Sequence, residues 1–186
     1  LIAGIAADRS TTGLRKIDRV DRNVAALDGL TDTATLQVQI NALFVGLLAE
    51  TGVDSAALAA RLDEANRLAV ASAAAWGRFT DASLDLPGEP QLRAEFETGL
   101  ASGTAAGTDL GAIVFGSLTS GDVSPEALQT RLEGIRTTTA SSRSIGAAVG
   151  SLIELYQNEL AESVTAGAAT ASATTVDIGR VAVAVC

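Results

Sequence analysis

The residues best suited to chemistry in this chain are its acids and arginines, and their spacing points away from catalysis. Asp63 and Glu64 are adjacent, and Glu95 and Glu97 are two apart. A general acid–base pair needs both carboxyls turned toward one reacting atom, but helical residues one or two apart face different ways. Arg15, Arg19 and Arg22 interleave with Asp18, Asp21 and Asp28. A series like this is expected to form a solvated face laced with ion pairs. The stretch Ala101-Ser102-Gly103-Thr104-Ala105-Ala106-Gly107-Thr108 has the small residues of a phosphate-binding loop, yet it carries no lysine and follows no strand signal. No Gly-x-Ser-x-Gly elbow is present.

The missing residue types narrow the chemistry further. The chain has no His, no Met and one Cys, at position 186. A His/Cys zinc site within one chain, a His-based triad and a Glu-x-x-His di-metal site are all excluded. A lone cysteine forms no intrachain disulfide. With 22 acidic against 13 basic residues, the net charge of −9 disfavours nucleic acid and anionic lipid surfaces, both of which attract basic patches. The expectation is a protein with no catalytic residues, no metal and no cofactor.

What positions the remaining residues is a set of helices. The length of 186 residues suits one domain, and its apolar content is mostly Ala, Leu and Val. Three breaks divide it. Glu50-Thr51-Gly52-Val53-Asp54 offers a glycine helix end and an Asp54 or Ser55 N-cap. Leu84-Asp85-Leu86-Pro87-Gly88-Glu89-Pro90 places two prolines around a glycine. Ser120-Gly121-Asp122-Val123-Ser124-Pro125-Glu126 reads as an N-cap serine, a first-position proline and a first-turn acid.

Between the breaks, apolar and small residues recur every three or four positions. The second helix shows Leu58, Leu62, Ala65, Ala69, Ser72, Trp76 and Phe79. The third shows Leu92, Phe96, Gly99 and Gly103 and continues through Ser117. The fourth runs from Leu128, Leu132 and Ile135 through Gly146 and Val149 to Tyr156 and Leu160. The first has Ile17, Val20, Val24 and Leu27, then Leu36, Ile40, Leu43 and Leu47, so a kink or change of partner is expected near Gly29. Gly99, Gly103, Gly107 and Gly111 share one face of the third helix and are expected to allow close backbone packing. The predicted fold is all-α: an antiparallel up-down-up-down four-helix bundle with long first and fourth helices.

At about 1.5 Å per residue the outer helices would reach some 70–90 Å, and the inner pair about half of that. Residues 1–7 (Leu-Ile-Ala-Gly-Ile-Ala-Ala) and 181–186 (Val-Ala-Val-Ala-Val-Cys) are apolar. An even number of antiparallel helices brings both to one end. They are expected to be stubs of two membrane helices flanking a single domain over 1–186, though no run of 18 apolar residues makes a complete span.

This order of helices, together with Leu36-Gln37-Val38-Gln39-Ile40-Asn41 on the first of them, resembles the periplasmic ligand-binding domain of methyl-accepting chemotaxis proteins. The segment is similar to the Leu-Gln-Thr-Arg-Ile-Asn stretch of aspartate-sensing members. The resemblance implies a homodimer that binds a small molecule or a periplasmic binding protein. It also implies an inner-membrane location, a periplasmic or extracellular sensor domain and signalling by a small displacement of the fourth helix. Aspartate-sensing members hold ligand carboxylates with first-helix arginines. Here those positions carry Gln39, Phe44 and Leu48, and no Arg lies between Arg22 and Arg61, which argues against a dicarboxylate. The polar residues left as ligand-binding candidates are Gln39, Asn41, Thr130 and Arg131. A low-bulk seam of Ser141, Ser142, Gly146 and Gly150 would permit the sliding, and Leu at Gly146 would be expected to jam it.

Two other readings stand beside this one. The sensor of a membrane histidine kinase has the same architecture and differs in the output module attached after residue 186. A structural or scaffold bundle without membrane spans would have no flanking apolar helices.

Overall fold

The computed structural model describes the backbone of residues 2–50 and 52–184, and the side chains of 17–50, 52–104, 116 and 118–168. Four helices account for nearly all of it: α1 (Ile2–Ala49), α2 (Ser55–Ala82), α3 (Glu89–Ser120) and α4 (Pro125–Ala184). The outer two hold 48 and 60 residues, the inner two 28 and 32. Their composition explains the helicity. Ala and Leu lose little on becoming helical. The threonines, weaker helix formers, satisfy their hydroxyls on the carbonyl four residues back, as Thr31 does on Leu27 and Thr98 on Ala94.

The breaks lie where the sequence puts them. The Asp54 carboxylate accepts from the Ala57 N–H at 3.4 Å and caps α2. Ser124 Oγ accepts from the Ala127 N–H at 3.3 Å, with Pro125 next to it in the position that lacks a helical partner anyway. Gly52 and Gly121 both take φ of +66°, the left-handed turn that ends a helix with least strain in glycine. A Cβ on Gly121 would lie 3.6 Å from the Gly52 Cα, so the two helix ends abut. The Val53 N–H donates to the Leu118 carbonyl at 3.0 Å and ties them together.

The helices form a bundle-like arrangement in which α1 packs on α2 and on α4, and α3 packs on α4. In α2 and the described part of α3 the inward stripes are the expected ones, with Leu58, Ala65, Ser72, Phe79 and Phe96 buried. In α1 and α4 the expected stripe holds only in part: Leu47, Val149 and Tyr156 are buried, but the early turns of both helices face otherwise. Ile17 and Val24 are 61% and 45% exposed, while Asn23, Ala26, Leu30 and Thr33 are buried. The steps from Asn23 through Ala26, Leu30, Thr33, Gln37, Ile40 and Phe44 to Leu47 alternate three and four without interruption. There is thus no change of phase at Gly29, and α1 is one continuous helix. Thr33 tolerates burial because its hydroxyl donates to the Gly29 carbonyl at 2.7 Å. Asn23 has no hydrogen-bond partner for either amide atom among the described residues.

On α4, Leu128 and Leu132 are 43% and 49% exposed, and Ala127, Arg131, Gly134, Ile145, Ala148 and Leu152 are buried in their place. One position is about 100° of rotation. That turn brings the Arg131 guanidinium inward and leaves Gly146 in solvent, where an added Cβ meets nothing within 4 Å. The sliding seam expected through Gly146 is therefore not at that position. Close packing occurs at other glycines. A Cβ on Gly29 would lie 2.8 Å from the Phe79 nitrogen, and one on Gly99 would lie 2.9 Å from Ile145 Cγ1.

Two dense cores result. One surrounds Leu30, Phe79, Phe96, Val149, Leu152 and Tyr156, beside the 83–88 turn. The other gathers Leu47, Val53, Leu58 and Leu118 where the 50–54 and 121–124 connections meet. Past the 83–88 turn, α1 and α4 continue together, and Arg19 Nε donates to Glu159 Oε1 at 2.7 Å. That bond holds the Glu159 carboxyl below its ordinary pKa of 4.5. Among the described residues, no helix is long and apolar enough to cross a membrane. Residues 1–7 and 181–186, expected to be membrane stubs, lie outside the residues whose side chains are described.

Candidate functional site

Between the two cores the helices wall a cavity of about 460 Å³, within the range of small-molecule sites and open to solvent beside the exposed Asn66, Ala69 and Thr104. Its origin lies in residue sizes. In the first core Trp76 stacks on Phe96 with ring centroids 3.9 Å apart, so two aromatic rings separate the α2 and α3 backbones. Phe79 meets Tyr156 edge-on at 5.6 Å and adds to the same layer. Two to three turns further along, small residues line the space: Ala65 and Ala69 on α2, with Gly103 on α3 and Ser141 on α4. Helices spaced by large rings leave unfilled room where the side chains between them are small.

All four helices wall the space. Ile40 and Phe44 from α1, Leu62 from α2, Leu100 from α3 and Ile145 from α4 give it an apolar surface. Gln37, Asn41, Asn66, Thr104, Thr138, Ser141 and Ser142 add amides and hydroxyls. No described lining residue is ionisable. Several of the polar groups are already committed. Gln37 Nε2 donates to Ser72 Oγ at 3.0 Å, and Thr104 Oγ1 donates to the Leu100 carbonyl at 2.9 Å. Asn41 Oδ1 differs from these: it is buried and accepts from no donor among the described residues.

The four sequence candidates separate. Asn41 lines the cavity. Gln39, two positions away, is exposed, since the intervening turn of helix carries it to another face. Thr130 donates to the Glu126 carbonyl of its own helix at 2.9 Å. Arg131 is only 3% exposed and donates to the Glu50 and Asp122 carbonyls at 3.0 and 2.9 Å. Its guanidinium thereby clamps the 50–54 connection to the 121–124 connection. Asn41 lies further back along α1, about 13 Å from Glu50 at the helical rise. The structure brings Thr130 and Arg131 to the helix connections and Asn41 to the central cavity. The other lining residues are not among the candidates that sequence reasoning selects. The signal that marks them is a set of small residues two or more helical turns away from Trp76, Phe79 and Phe96.

A second buried polar group lies at the 83–88 turn. Glu89 is 1% exposed, and its carboxylate accepts from Ser83 Oγ, from the Leu86 N–H at 3.0 Å and from the Tyr156 hydroxyl at 2.9 Å. Tyr156 Oη in turn accepts from the Leu84 N–H at 2.9 Å. Burial pushes the phenol up to about 12. Arg22 donates to the Ser83 carbonyl, and Arg93 approaches Glu89 to 3.6 Å. Tyr156 comes from α4 and Arg22 from α1, while the remaining partners belong to the turn or to α3, so the network ties the turn to the outer helices. Among the described residues, no three acids or thiols converge into a metal-holding group.

Comparison with protein-family models, with curated proteins and with solved structures gives no match.

Proposed function

We propose that this chain is the extracytoplasmic sensor domain of a membrane-anchored bacterial chemoreceptor, an antiparallel up-down-up-down bundle that reports on a small molecule held in its centre. The observation that carries this reading is the cavity walled by all four helices. A molecule filling it changes the spacing of α2 and α3, which touch through aromatic rings, against α1 and α4. The outer helices are also the pair that runs on together past the 83–88 turn, joined by Arg19 and Glu159. A shift of α4 relative to α1 is therefore transmitted along that pair toward flanking membrane segments, in a homodimer. Such transmission requires only that the ligand favour one of two helix arrangements.

A hybrid receptor tests the proposal. This chain replaces the sensor domain of a chemoreceptor in cells that lack other receptors, and kinase output is followed while small molecules are added. Output that shifts with an added compound, and stops shifting once Ala65→Phe fills the cavity, is the expected result. Output that stays at one level whatever is added, and is the same with the cavity open or filled, would retire the sensing role.

A further inference from the structure

Resting on the sensing reading above, we infer that the central cavity takes an uncharged, largely apolar small molecule that presents one N–H or O–H donor to Asn41 Oδ1. Three features of the site define this class.

The first is charge. No Asp, Glu, Lys or Arg is among the described lining residues. An ionised ligand entering such a space gives up part of its hydration and gains no counter-charge among these residues. Amino acids, dicarboxylates and quaternary amines are disfavoured on this ground.

The second is a buried polar atom without a partner among the described residues. Asn41 Oδ1 is an amide carbonyl oxygen, which only accepts. It is buried with no donor on it among the described residues. The neighbouring amide of Gln37 already donates to Ser72. Serine and threonine hydroxyls can turn to donate or accept, so they constrain a ligand less than a fixed carbonyl does. A ligand that brings a donor removes the cost of leaving this oxygen unpaired, and a ligand without one keeps it.

The third is size and surface. At about 460 Å³ the space equals on the order of fifteen waters, room for a two- or three-ring molecule. Phe44, Leu62, Leu100 and Ile145 supply the walls against which such rings bury area.

The test titrates the purified chain with four probes: 2-naphthol, naphthalene, 2-naphthoate and aspartate. Dissociation constants come from calorimetry and the Asn41 side-chain resonances from NMR. In the unaltered protein 2-naphthol is expected to bind about tenfold more tightly than naphthalene, the difference one net hydrogen bond makes. The two carboxylates should show no binding where 2-naphthol saturates. Asn41→Leu should bring 2-naphthol and naphthalene to equal affinity, and Ala65→Phe, with folding checked by circular dichroism, should abolish both. Should either variant fail to fold, the four-probe comparison on the unaltered chain still decides. The inference is overturned if 2-naphthol and naphthalene bind alike, if a carboxylate binds as well as 2-naphthol, if none binds, or if folded Ala65→Phe still binds. Binding as described beside a hybrid receptor that stays silent keeps the ligand class and removes the sensing role. A hybrid that answers charged compounds with the cavity filled does the opposite.

Discussion

The Trp76 indole lies on the Phe96 ring, centroids 3.9 Å apart and planes 21° apart, and this stack props α2 away from α3. Phe96 is fully buried in the core that also holds Leu30, Phe79 and Tyr156. Its replacement by alanine should lower stability by about 3–5 kcal/mol, the usual cost of deleting a buried phenyl ring. Urea denaturation checks this through the midpoint, with the slope unchanged. Since this pair joins α2 to α3, Phe96→Ala should also weaken protection from hydrogen exchange in those two helices first.

Tyr156→Phe should leave the Leu84 N–H without its acceptor and take one of two donors from Glu89 Oε2, which keeps the Leu86 N–H. The expected loss is about 1–3 kcal/mol. The pH dependence follows from a phenol pushed up to about 12 in the folded chain against an ordinary 10.0. Above pH 10 the unfolded chain releases this proton while the folded chain retains it. The phenol's contribution is thus complete below about pH 10 and is lost as pH rises through about 12. Urea midpoints across that window should fall for the unaltered protein, and this part of the fall should be missing in Tyr156→Phe.

Arg131→Met removes a buried guanidinium that holds the Glu50 and Asp122 carbonyls. Two charge-assisted hydrogen bonds suggest a loss of about 3 kcal/mol. The affinity for 2-naphthol should be unchanged, because the arginine sits at the helix connections and does not line the cavity. An affinity loss with stability intact would make Arg131 a ligand contact after all.

Gly29→Ala and Gly146→Ala should act in opposite directions. The first sets a Cβ 2.8 Å from the Phe79 nitrogen and 2.9 Å from the Ala75 carbonyl oxygen, and backbone on both sides cannot move aside cheaply. A loss of about 1–3 kcal/mol is expected. The second places a methyl in open space on a helix and should add about 0.5–1 kcal/mol. Thermal unfolding of the two variants side by side is sufficient to compare them.

Arg19→Gln should let the Glu159 carboxyl rise toward its ordinary 4.5, because the arginine's hydrogen bond is the main cause of its lowered value. A lowered carboxyl contributes stability above its unfolded pKa and loses it as pH falls through the folded one. With Arg19 largely exposed, the stability effect should stay below about 1 kcal/mol. Carbon-detected NMR titration of Glu159 reads the shift directly.

The helices were legible in the sequence because their signals are local. Asp54, Gly52, Pro87, Gly121, Ser124 and Pro125 act within a few residues of themselves, and a cap or a turn needs no partner from elsewhere. The stripes of α2 and α3 could also be read, since Leu58, Phe79 and Phe96 are both apolar and inward. On α1 and α4 hydropathy finds Leu47, Val149 and Tyr156 but misleads in the early turns. There the inward row runs through Asn23, Thr33, Gln37 and Arg131, and Ile17, Val24, Leu128 and Leu132 turn outward. Hydropathy alone ranks those residues the other way. Only the packed structure supplies the Glu50 and Asp122 carbonyls that make an inward arginine favourable. The cavity likewise belongs to no segment. It exists because Trp76 on α2 and Phe96 on α3 stack at one level while small residues, Ala65, Gly103 and Ser141, line the space two to three turns away. Matching those levels requires the registers of all four helices, which the chain settles only on folding.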